Sequence, residues 1–463
     1  METAIDTKTF KTINPTNEEV LSTYKYFTND NVDEHIKAAH KAFMDWKTKS
    51  HEERGKIINA IGEELQNYKK ELSELMTNEM GKLLKQSHQE IDLCASICQY
   101  SAKQGREVLK NEERELEDGA KGIITYSPIG IIYGIQPWNY PAYQVIRYAI
   151  ANLMAGNAVL LKHAENVIGT ALLLESIFET AGLPKGLFKV LVIDHDQSDD
   201  VIAHDLVRGV TLTGSADAGR IIGKKAGEVL KKTVLELGSN DAYIILKDAD
   251  IENAVETCVK GRIYNNGETC VAAKRFIVVD EVYDEFRDAF VNAMKDLKTG
   301  NPHEDGVDMG PMARKDLRET LHKQVENSVE NGAKILCGGE LPEGVGFYYP
   351  ATVLDNVKPG QPAYDDELFG PVASLIKAKD EEDAMRIAND SRFGLGGGIF
   401  SKDTERAIKL AENHFDTGMV FINSFGLANP KLPFGGVKNS GFGREHGGFG
   451  MKEFVNAKAI TIK

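Results

Sequence analysis

One cysteine stands where a thiol could act as a nucleophile. Cys270 follows a glycine-containing turn in the stretch NNGETCVAAK. A thiol attacks as the thiolate, and backbone N–H groups that converge at a loop or helix terminus lower the pKa of a thiol. A single cysteine is also a common small hydrophobe of a buried core, so this residue alone leaves both interpretations open. No Cys or His pair completes a metal-ligand set, so we predict no metal site and core positions for Cys94, Cys98, Cys258 and Cys337.

Two further side chains could serve such a nucleophile. Glu236 opens ELGSND directly after the apolar end of KKTVL, and a partly buried carboxylate at a strand end can act as a general base. The alternative for this residue is a solvated carboxylate on a loop. Asn139, within PWNYP, could donate from its amide to a developing oxyanion, whereas the alternative is ordinary turn chemistry.

Two other stretches could bind a nucleotide. TGSADAGR is typical of a turn that leads into a helix beginning near Ser215, and helix N-termini attract phosphate through free N–H groups and the helix dipole. The spacing is not the usual GxGxxG pattern. LLKHAE places Lys162 and Glu165 after a strand, where they suit ribose hydroxyls, although a surface ion pair is equally consistent with the pattern.

Alternating strands and helices must position these segments. Helical spacing of apolar residues predicts that the first hundred residues are mostly amphipathic helix, and the next stretch predicts a hairpin that turns at Asp118-Gly119. Strand–helix alternation beyond it predicts βαβ units and parallel sheets. The predicted strands are 158–161, 188–193, 206–212, 242–246, 275–279, 372–377, 397–400 and 418–422. The predicted helices are 167–181, 216–231, 281–298, 311–331, 380–390 and 403–414.

Length, charge and cysteine content limit the class of protein. The chain has 463 residues, which at about 150 residues per domain suggests roughly three domains. Its formal net charge of −15 disfavours nucleic acid or an anionic membrane as the main partner. The sequence shows no signal peptide and no uninterrupted apolar span, and five sparse cysteines are typical of the reducing cytoplasm.

Taken together, these segments resemble the NAD(P)-dependent aldehyde dehydrogenase superfamily over essentially the whole chain. The pairing of ELGSND with GETC, and PWNYP upstream of AGNAVLLK, carry the resemblance. Within the superfamily, KHAE after the LLK strand, QVIR after PWNYP, and PFGGVKNSGFGRE resemble the succinate-semialdehyde dehydrogenase branch.

The resemblance implies a role for each catalytic candidate. Cys270 would attack a small aldehyde, with the Asn139 side chain and the Cys270 backbone N–H holding the oxyanion. Glu236 would activate the water that hydrolyses the thioester, so the product is a carboxylic acid. Glu445 matches a residue assigned either to proton relay or to structure. The implied cofactor-binding residues are Trp138, Lys162, Glu165, Gly214, Ser215, Gly219, Leu237, Glu367 and Phe369.

The resemblance also implies the cofactor and the architecture. NAD is the expected cofactor, with NADP weaker, because a 2′-phosphate would lie beside the Glu165 carboxylate. The implied fold is α/β, with two α/β domains built on parallel sheets and a small β element for oligomerisation into a homodimer or homotetramer. The predicted boundaries are 1–110 and 130–235 for the NAD-binding domain, 236–432 for the catalytic domain, and 111–129 and 433–463 for the oligomerisation element and C-terminal segment.

The chain departs from the family pattern around the expected substrate site. Arg147 matches the residue that binds the carboxylate of a semialdehyde, but Ala428 stands where that branch often has a second donor, Ser. Tyr148 replaces a common Lys, so a relay through that Lys is absent. Glu268 replaces a common Gln, and it would either raise the thiol pKa or face solvent.

Other functions remain open at this point: oxidation of another small aldehyde, transfer of the acyl group to coenzyme A, or a non-catalytic role. Glu236 argues against the coenzyme A reaction, because an acylating enzyme needs no base to activate water. The joint presence of Cys270, Glu236, Asn139 and Glu367 argues against a non-catalytic relative.

Overall fold

The computed structural model describes residues 8–463 and opens with a hairpin followed by four helices. Amphipathic spacing forms the helices, as the sequence predicts, whereas the hairpin was not predicted because most of its side chains are exposed and show no apolar alternation. The elements are β1 (Thr9–Ile13), β2 (Val20–Lys25), α1 (Asn29–Trp46), α2 (His51–Asn67), α3 (Lys69–Met80) and α4 (Leu84–Leu109).

The middle of the chain alternates strands and helices. The elements are β3 (Glu112–Glu115), β4 (Lys121–Pro128), β5 (Ile131–Gln136), α5 (Tyr143–Ala155), β6 (Ala158–His163), α6 (Ile168–Thr180), β7 (Phe188–Val190), α7 (His195–Ala203), β8 (Val207–Thr213), α8 (Ala216–Glu228) and β9 (Lys232–Glu236). The predicted strands and helices of this region are confirmed, with β7 shorter than expected.

The remainder of the chain forms a second alternating series. Its elements are β10 (Ala242–Ile245), α9 (Ile251–Ile263), β11 (Arg275–Val279), α10 (Tyr283–Lys295), α11 (Lys315–Glu330), β12 (Lys334–Cys337), β13 (Thr352–Asp355), α12 (Pro362–Asp365), β14 (Val372–Ala378), α13 (Glu381–Asn389), β15 (Phe393–Gly394), β16 (Gly397–Phe400), α14 (Thr404–His414), β17 (Phe421–Ile422), β18 (Val437–Lys438), β19 (Gly441–Phe442), α15 (Phe449–Glu453) and β20 (Val455–Ile462).

Two large sheets meet at the segment between β9 and β10. The first has the order β19-β9-β8-β5-β6-β7, and the second has the order β12-β13-β14-β11-β10-β16-β17. Most neighbours run parallel, and strands such as β6 and β11 are buried along their whole length, which is typical of sheets covered by helices on both faces. Polar loops therefore leave the first sheet at the carboxyl ends of its strands, where ligands bind in open α/β sheets.

The segment 237–241 connects the end of β9 to the start of β10. Because β10 and β11 pair in parallel from Ala242 with Arg275, the loop that precedes β11 meets this segment at the same edge. The polypeptide thus brings ELGSND and NNGETC together at the junction of the two sheets.

A third sheet is small and antiparallel, with the order β20-β4-β3. The predicted hairpin is confirmed: β3 and β4 are joined through the 3-10 turn Glu117–Gly119. β20 pairs with β4 along eight residues. The α/β fold with two parallel-rich sheets and a small β element is therefore as expected.

The C-terminal segment also reaches back to the first large sheet. β19 pairs antiparallel with β9, so that Gly441 lies opposite Glu236, whereas β18 pairs with β15 in a separate two-stranded sheet. Gly441 has a φ of 106°, and a Cβ there would lie 1.9 Å from the carbonyl oxygen of Leu235. Only glycine permits this close approach. Residues 437–442 therefore pair with β15 and β9, and not with the three-stranded sheet.

Candidate active site

The loop before Cys270 is held by asparagine side chains. Asn265 and Asn266 both have a φ of 57°, a left-handed conformation that asparagine tolerates better than most residues. The Nδ2 of Asn265 donates to the carbonyl oxygens of Asn139 at 2.9 Å and of Glu268 at 3.1 Å. These bonds fix the loop, residues 264–270, against the PWNYP segment. We call this stretch the cysteine loop.

Cys270 itself is half-buried, and burial raises the pKa of its thiol to about 11. Nearby Arg147 and Lys274 lower this pKa, whereas Glu367 and Asp241 raise it. Desolvation of the thiol therefore outweighs the effect of the two nearby cations.

Lys274 donates hydrogen bonds to the backbone of the cysteine loop. Its Nζ donates to Ser239 Oγ at 2.9 Å and to the carbonyl oxygens of Thr269, at 3.1 Å, and Cys270, at 2.5 Å. The Ser239 hydroxyl donates to the same Cys270 carbonyl. This network joins ELGSND directly to the cysteine and satisfies the Cys270 carbonyl with two donors.

Asn139 is buried beside the cysteine loop, and not on a solvated turn. Its Nδ2 donates to the Glu268 carbonyl at 3.1 Å, and Gln144 Nε2 donates to its Oδ1 at 3.4 Å. The acceptor side of the amide therefore faces Gln144, and the donor side faces the cysteine loop. The second N–H of Nδ2 is the donor available to an oxyanion.

Glu236 ends β9 with its carboxylate only 2% exposed. Neither carboxylate oxygen accepts a hydrogen bond from any residue between 8 and 463. Burial and Glu445 raise the pKa of the carboxyl well above its usual value, and Arg147 and Arg444 oppose that shift. A Cβ on Gly435 would lie 2.8 Å from Oε1, so the chain passes close to this carboxylate. A buried carboxylate without partners suits a base more than a solvated loop residue.

Arg147 lies beside the same carboxylate. Its Nε pairs with Glu445, and its Nη2 donates to Thr213 Oγ1 at 2.9 Å. The guanidinium also packs over the ring of Phe434, 4.8 Å from the centroid. Arg147 therefore pairs with a buried carboxylate of this chain. The Nε–Nη2 edge of the guanidinium, which could bind a substrate carboxylate bidentately, is occupied by Glu445 and Thr213.

Glu268 does not face solvent. Its side chain is fully buried and accepts from the backbone N–H of Ala313 at 3.1 Å, and burial raises the pKa of its carboxyl. Of the two expectations for this residue, solvent exposure is therefore wrong. Its carboxyl instead fastens the cysteine loop to the segment before α11.

The proposed nucleotide side begins at α8. Ser215 caps this helix as expected, its Oγ accepting from Ala218 N at 3.2 Å, which leaves other N–H groups of the first turn free for phosphate. Gly214 precedes this cap. A Cβ on Gly219 would lie 2.5 Å from Leu237 Cδ1, so only glycine allows α8 to pack this closely on the start of ELGSND.

Lys162 and Glu165 do not form a close ion pair with each other within residues 8–463. Lys162 is buried at the end of β6, whereas Glu165 is exposed and accepts from Tyr26 Oη at 2.5 Å. The hydroxyl of Tyr26 thus fixes one carboxylate oxygen, and the other stays open to a ligand. A buried lysine beside an open carboxylate suits a sugar with two hydroxyls.

The opposite end of this site is formed by Glu367, Phe369 and Trp138. Glu367 Oε1 accepts from Ser239 N at 3.0 Å and lies 3.3 Å from Lys274 Nζ. The ring of Phe369 packs edge-on against that of Trp138, with centroids 5.7 Å apart. α8 follows β8, and Lys162 and Glu165 lie at and after the end of β6, so both groups lie at carboxyl ends of strands in the first sheet. Glu367 accepts from Ser239, whose hydroxyl donates to the Cys270 carbonyl. A helix N-terminus, a lysine and a carboxylate suited to a ribose, and an aromatic wall fit a dinucleotide.

A sequence model of the aldehyde dehydrogenase family matches residues 3–460. The chain belongs to this family. Among curated relatives, the succinate semialdehyde dehydrogenase (NAD(P)+) Sad of Escherichia coli (strain K12) is 42% identical over 448 residues, which cover 97% of this chain and 96% of the relative. The succinate-semialdehyde dehydrogenase (NADP(+)) of Deinococcus radiodurans is 41% identical over 451 residues, covering 97% and 94%.

Solved structures agree with this assignment. The succinic semialdehyde dehydrogenase of Streptococcus pyogenes, determined in complex with NADP+, has a TM-score of 0.95 and 37% identity, covering 97% of this chain and 99% of that chain. The superfamily resemblance and the fold expected from it are thereby confirmed for this aldehyde dehydrogenase family member.

A cavity of about 1000 Å³ is bounded by α4, α9, α10 and residues 425–427. Cys270 is not among the residues that line this cavity. Leu427 lines the cavity and also packs in the apolar cluster that contains Cys270.

Sequence reasoning missed several residues of the site. Lys274 carried a signal, since it ends the apolar run that follows Cys270 and is itself followed by Arg275, but Ser239 and Tyr26 carried none. Across residues 8–463, no group of three or more His, Cys, Asp or Glu side chains could hold a metal ion. No helix in the same part of the chain is long and apolar enough to cross a membrane. All five cysteines are free.

Proposed function

We propose that this aldehyde dehydrogenase family member oxidises succinate semialdehyde to succinate with NAD(P)+. The assignment of the substrate rests on the sequence identity of about 40% to succinate-semialdehyde dehydrogenases along nearly the whole chain. The observation that supports hydrolysis is Glu236, a buried carboxylate without a hydrogen-bond partner among the described residues.

The proposed reaction uses three side chains in sequence. The Cys270 thiolate adds to the aldehyde carbon, and the oxygen that gains the charge accepts hydrogen bonds from Asn139 Nδ2 and the Cys270 backbone N–H. The bound dinucleotide supplies a hydride acceptor, which leaves an acyl group on the sulfur. Glu236 then takes a proton from a water molecule as its oxygen attacks the thioester carbon. The carboxylate product leaves, and the sulfur is released as the thiolate.

The proposed cofactor site extends over the residues predicted from the sequence. The ribose next to adenine would bind Lys162 and Glu165, and the pyrophosphate would bind the turn at Gly214, Ser215 and Gly219. Leu237, Glu367, Phe369 and Trp138 would surround the nicotinamide end. Because an exposed carboxylate repels a 2′-phosphate, NAD is the favoured cofactor and NADP the weaker one.

Arg147 is the proposed partner of the substrate carboxylate. Its Nη2 donates to Thr213 and its Nε forms an ion pair with Glu445, whereas neither Nε nor the buried Nη1 makes a hydrogen bond with a described residue. A substrate carboxylate would therefore bind end-on at Nη1, and not bidentately. Since Ala428 adds no hydroxyl, the preference for a charged aldehyde is modest.

The same proposal includes the domain boundaries predicted above, a cytoplasmic location and an oligomeric state. β20 and β3 form the two edges of the three-stranded sheet, and an exposed edge strand is a template for pairing with another chain. We propose a homodimer or homotetramer, with neither nucleic acid nor membrane as a partner.

The test is a panel of aldehydes assayed by NADH or NADPH absorbance at 340 nm, with and without coenzyme A. We expect succinate semialdehyde to exceed butanal in kcat/KM, and NAD to exceed NADP, with no effect of coenzyme A. Equal kcat/KM for both aldehydes would contradict the substrate, and a rate that requires coenzyme A would contradict hydrolysis.

A further inference from the structure

A buried ion pair outside the reacting groups holds the segment that carries Asn139. Lys82, in the turn between α3 and α4, pairs with Glu90 on α4, and both side chains are almost wholly inaccessible to solvent. The second carboxylate oxygen of Glu90 accepts from the backbone N–H groups of Ala142 at 2.9 Å and Tyr143 at 2.8 Å. These two residues stand at the N-terminus of α5, three and four positions after Asn139.

The same lysine contacts the other side of this segment. Lys82 Nζ lies 4.2 Å from the centroid of the Tyr140 ring, in the geometry of a cation–π contact. The Tyr140 hydroxyl is 2.8 Å from Thr269 Oγ1, and Thr269 directly precedes Cys270. The buried pair thus contacts the segment after Asn139 in two ways. Glu90 binds backbone N–H groups of this segment, and Lys82 packs over the Tyr140 ring, whose hydroxyl reaches the cysteine loop.

The fold alone does not require so costly an arrangement. α5 has no side-chain cap of its own, because Ala142 occupies the position where Ser, Asp or Asn would accept from N–H groups of the first turn. Replacing a buried ion pair by apolar residues is often neutral or stabilising. Burial of both charges therefore indicates a role in geometry, and the geometry it controls is that of residues 139–143.

We propose that Lys82 and Glu90 are positioning residues that aim the Asn139 amide at the oxyanion formed on the Cys270 adduct. This inference rests on the oxyanion role proposed above for Asn139. Neither side chain touches the reacting atoms, since each acts through the backbone or ring of residues 140–143.

Charge-removing variants of similar shape test the proposal. In Glu90→Gln the amide oxygen can still accept from the N–H groups of α5, but Lys82 loses its charge partner. In Lys82→Met the Glu90 carboxylate keeps its bonds to α5 but loses its charge partner. We expect each single variant to lower kcat at saturating aldehyde and NAD about 10- to 100-fold, the order of loss that a small misplacement causes. The double variant, which buries no unpaired charge, should recover to within about tenfold of the unmodified protein.

A second readout separates positioning from general damage. Iodoacetamide alkylates a thiol without forming an oxyanion, so the alkylation rate of Cys270 should change less than twofold in each folded variant. A parallel fall in alkylation rate and kcat would overturn the proposal, because the pair would then support the whole cysteine loop and not the amide.

A double-mutant cycle with Asn139→Ala supplies the decisive comparison. If the pair acts through the amide, Glu90→Gln and Lys82→Met should each have little further effect on kcat once Asn139 is alanine. Effects that multiply would overturn the proposal. Either single variant carries this test if the other does not fold.

The same cycle distinguishes this inference from the function on which it rests. Asn139→Ala with an unchanged kcat would refute the oxyanion role itself. A large loss in Asn139→Ala, combined with unmodified kcat in the Lys82 and Glu90 variants, would refute only the positioning role.

Glu79→Gln is the matched control. The Glu79 carboxylate is buried and accepts from Gly169 N at 2.9 Å and Thr170 N at 3.0 Å, at the start of α6. It makes the same kind of contact at a helix that does not carry Asn139. We expect this variant to lower the melting temperature but to keep kcat at saturating NAD.

Discussion

Arg147 and Glu445 form an ion pair in which both side chains are buried, and this pair lies against the carboxylate of Glu236. The guanidinium thus pairs with Glu445, and its charge also lowers the pKa of the Glu236 carboxyl. Removing the arginine alone would leave Glu445 charged and unpaired in the interior, which is strongly destabilising. Any test of substrate binding must therefore remove both partners.

The first prediction compares Arg147→Met/Glu445→Gln with the unmodified protein on two aldehydes. Loss of a buried partner for a carboxylate costs about 2–5 kcal/mol, so kcat/KM for succinate semialdehyde should fall roughly 30- to 1000-fold. The value for butanal, which has no carboxylate, should change far less. Equal losses for the two aldehydes would mean that Arg147 is purely structural.

The second prediction concerns the ionisation of Cys270. Because burial raises the pKa of the thiol to about 11, the thiolate fraction of the unliganded protein should rise about tenfold per pH unit from pH 7 to 10. Stopped-time alkylation with iodoacetamide measures this directly, and Cys270→Ala supplies the background from half-buried Cys337. An alkylation rate that is flat below pH 9 would show a lowered pKa instead. The same Cys270→Ala variant should form no NADH while still binding NAD.

The third prediction separates the two halves of the reaction. Glu236→Gln keeps the shape of the side chain but cannot take a proton from water. Addition of the thiol and the first hydride transfer remain possible, so a single burst of NADH followed by stalled turnover is expected in rapid-mixing absorbance. Absence of the burst would instead assign Glu236 to activation of the thiol.

The fourth prediction concerns cofactor choice. Tyr26 holds one oxygen of Glu165, and Glu165→Ser should shift the ratio of kcat/KM values towards NADP because it removes the charge that opposes a 2′-phosphate. Since Glu165 is exposed and screened by salt, we expect a change of about tenfold or somewhat more. Tyr26→Phe frees the carboxylate without removing it and should weaken discrimination less. An unmodified protein that uses both cofactors equally would contradict this assignment.

Local pattern was sufficient for much of the fold, whereas the proposed roles of Asn139, Glu236 and Cys270 came from the family resemblance. Buried apolar runs predict β6, β8 and β11, and polar segments at strand ends predict only that these three residues lie on loops. The two-residue strands β15, β17, β18 and β19 are too short to show a period, so only tertiary pairing defines them.

The supporting contacts could not be predicted in the same way. Glu90 contacts the start of α5, and Tyr26 contacts Glu165, although each pair is far apart in sequence. No periodicity encodes such a contact, because it depends on how whole helices and sheets pack. The raised pKa of the Cys270 thiol could not be predicted for the same reason, because the desolvation that causes it depends on how the surrounding elements pack.

The pairing of β19 with β9 has a consequence for the order in which the molecule is built. Domains fold as they are synthesised, N-terminal parts first. β5 to β9 leave the ribosome long before residue 441, so during that interval β9 is an uncovered sheet edge that can pair with a neighbouring chain. The strand that ends in Glu236 is therefore completed among the last events of folding, and a chain that stops short of β19 would retain most of its core but leave this strand without its neighbour.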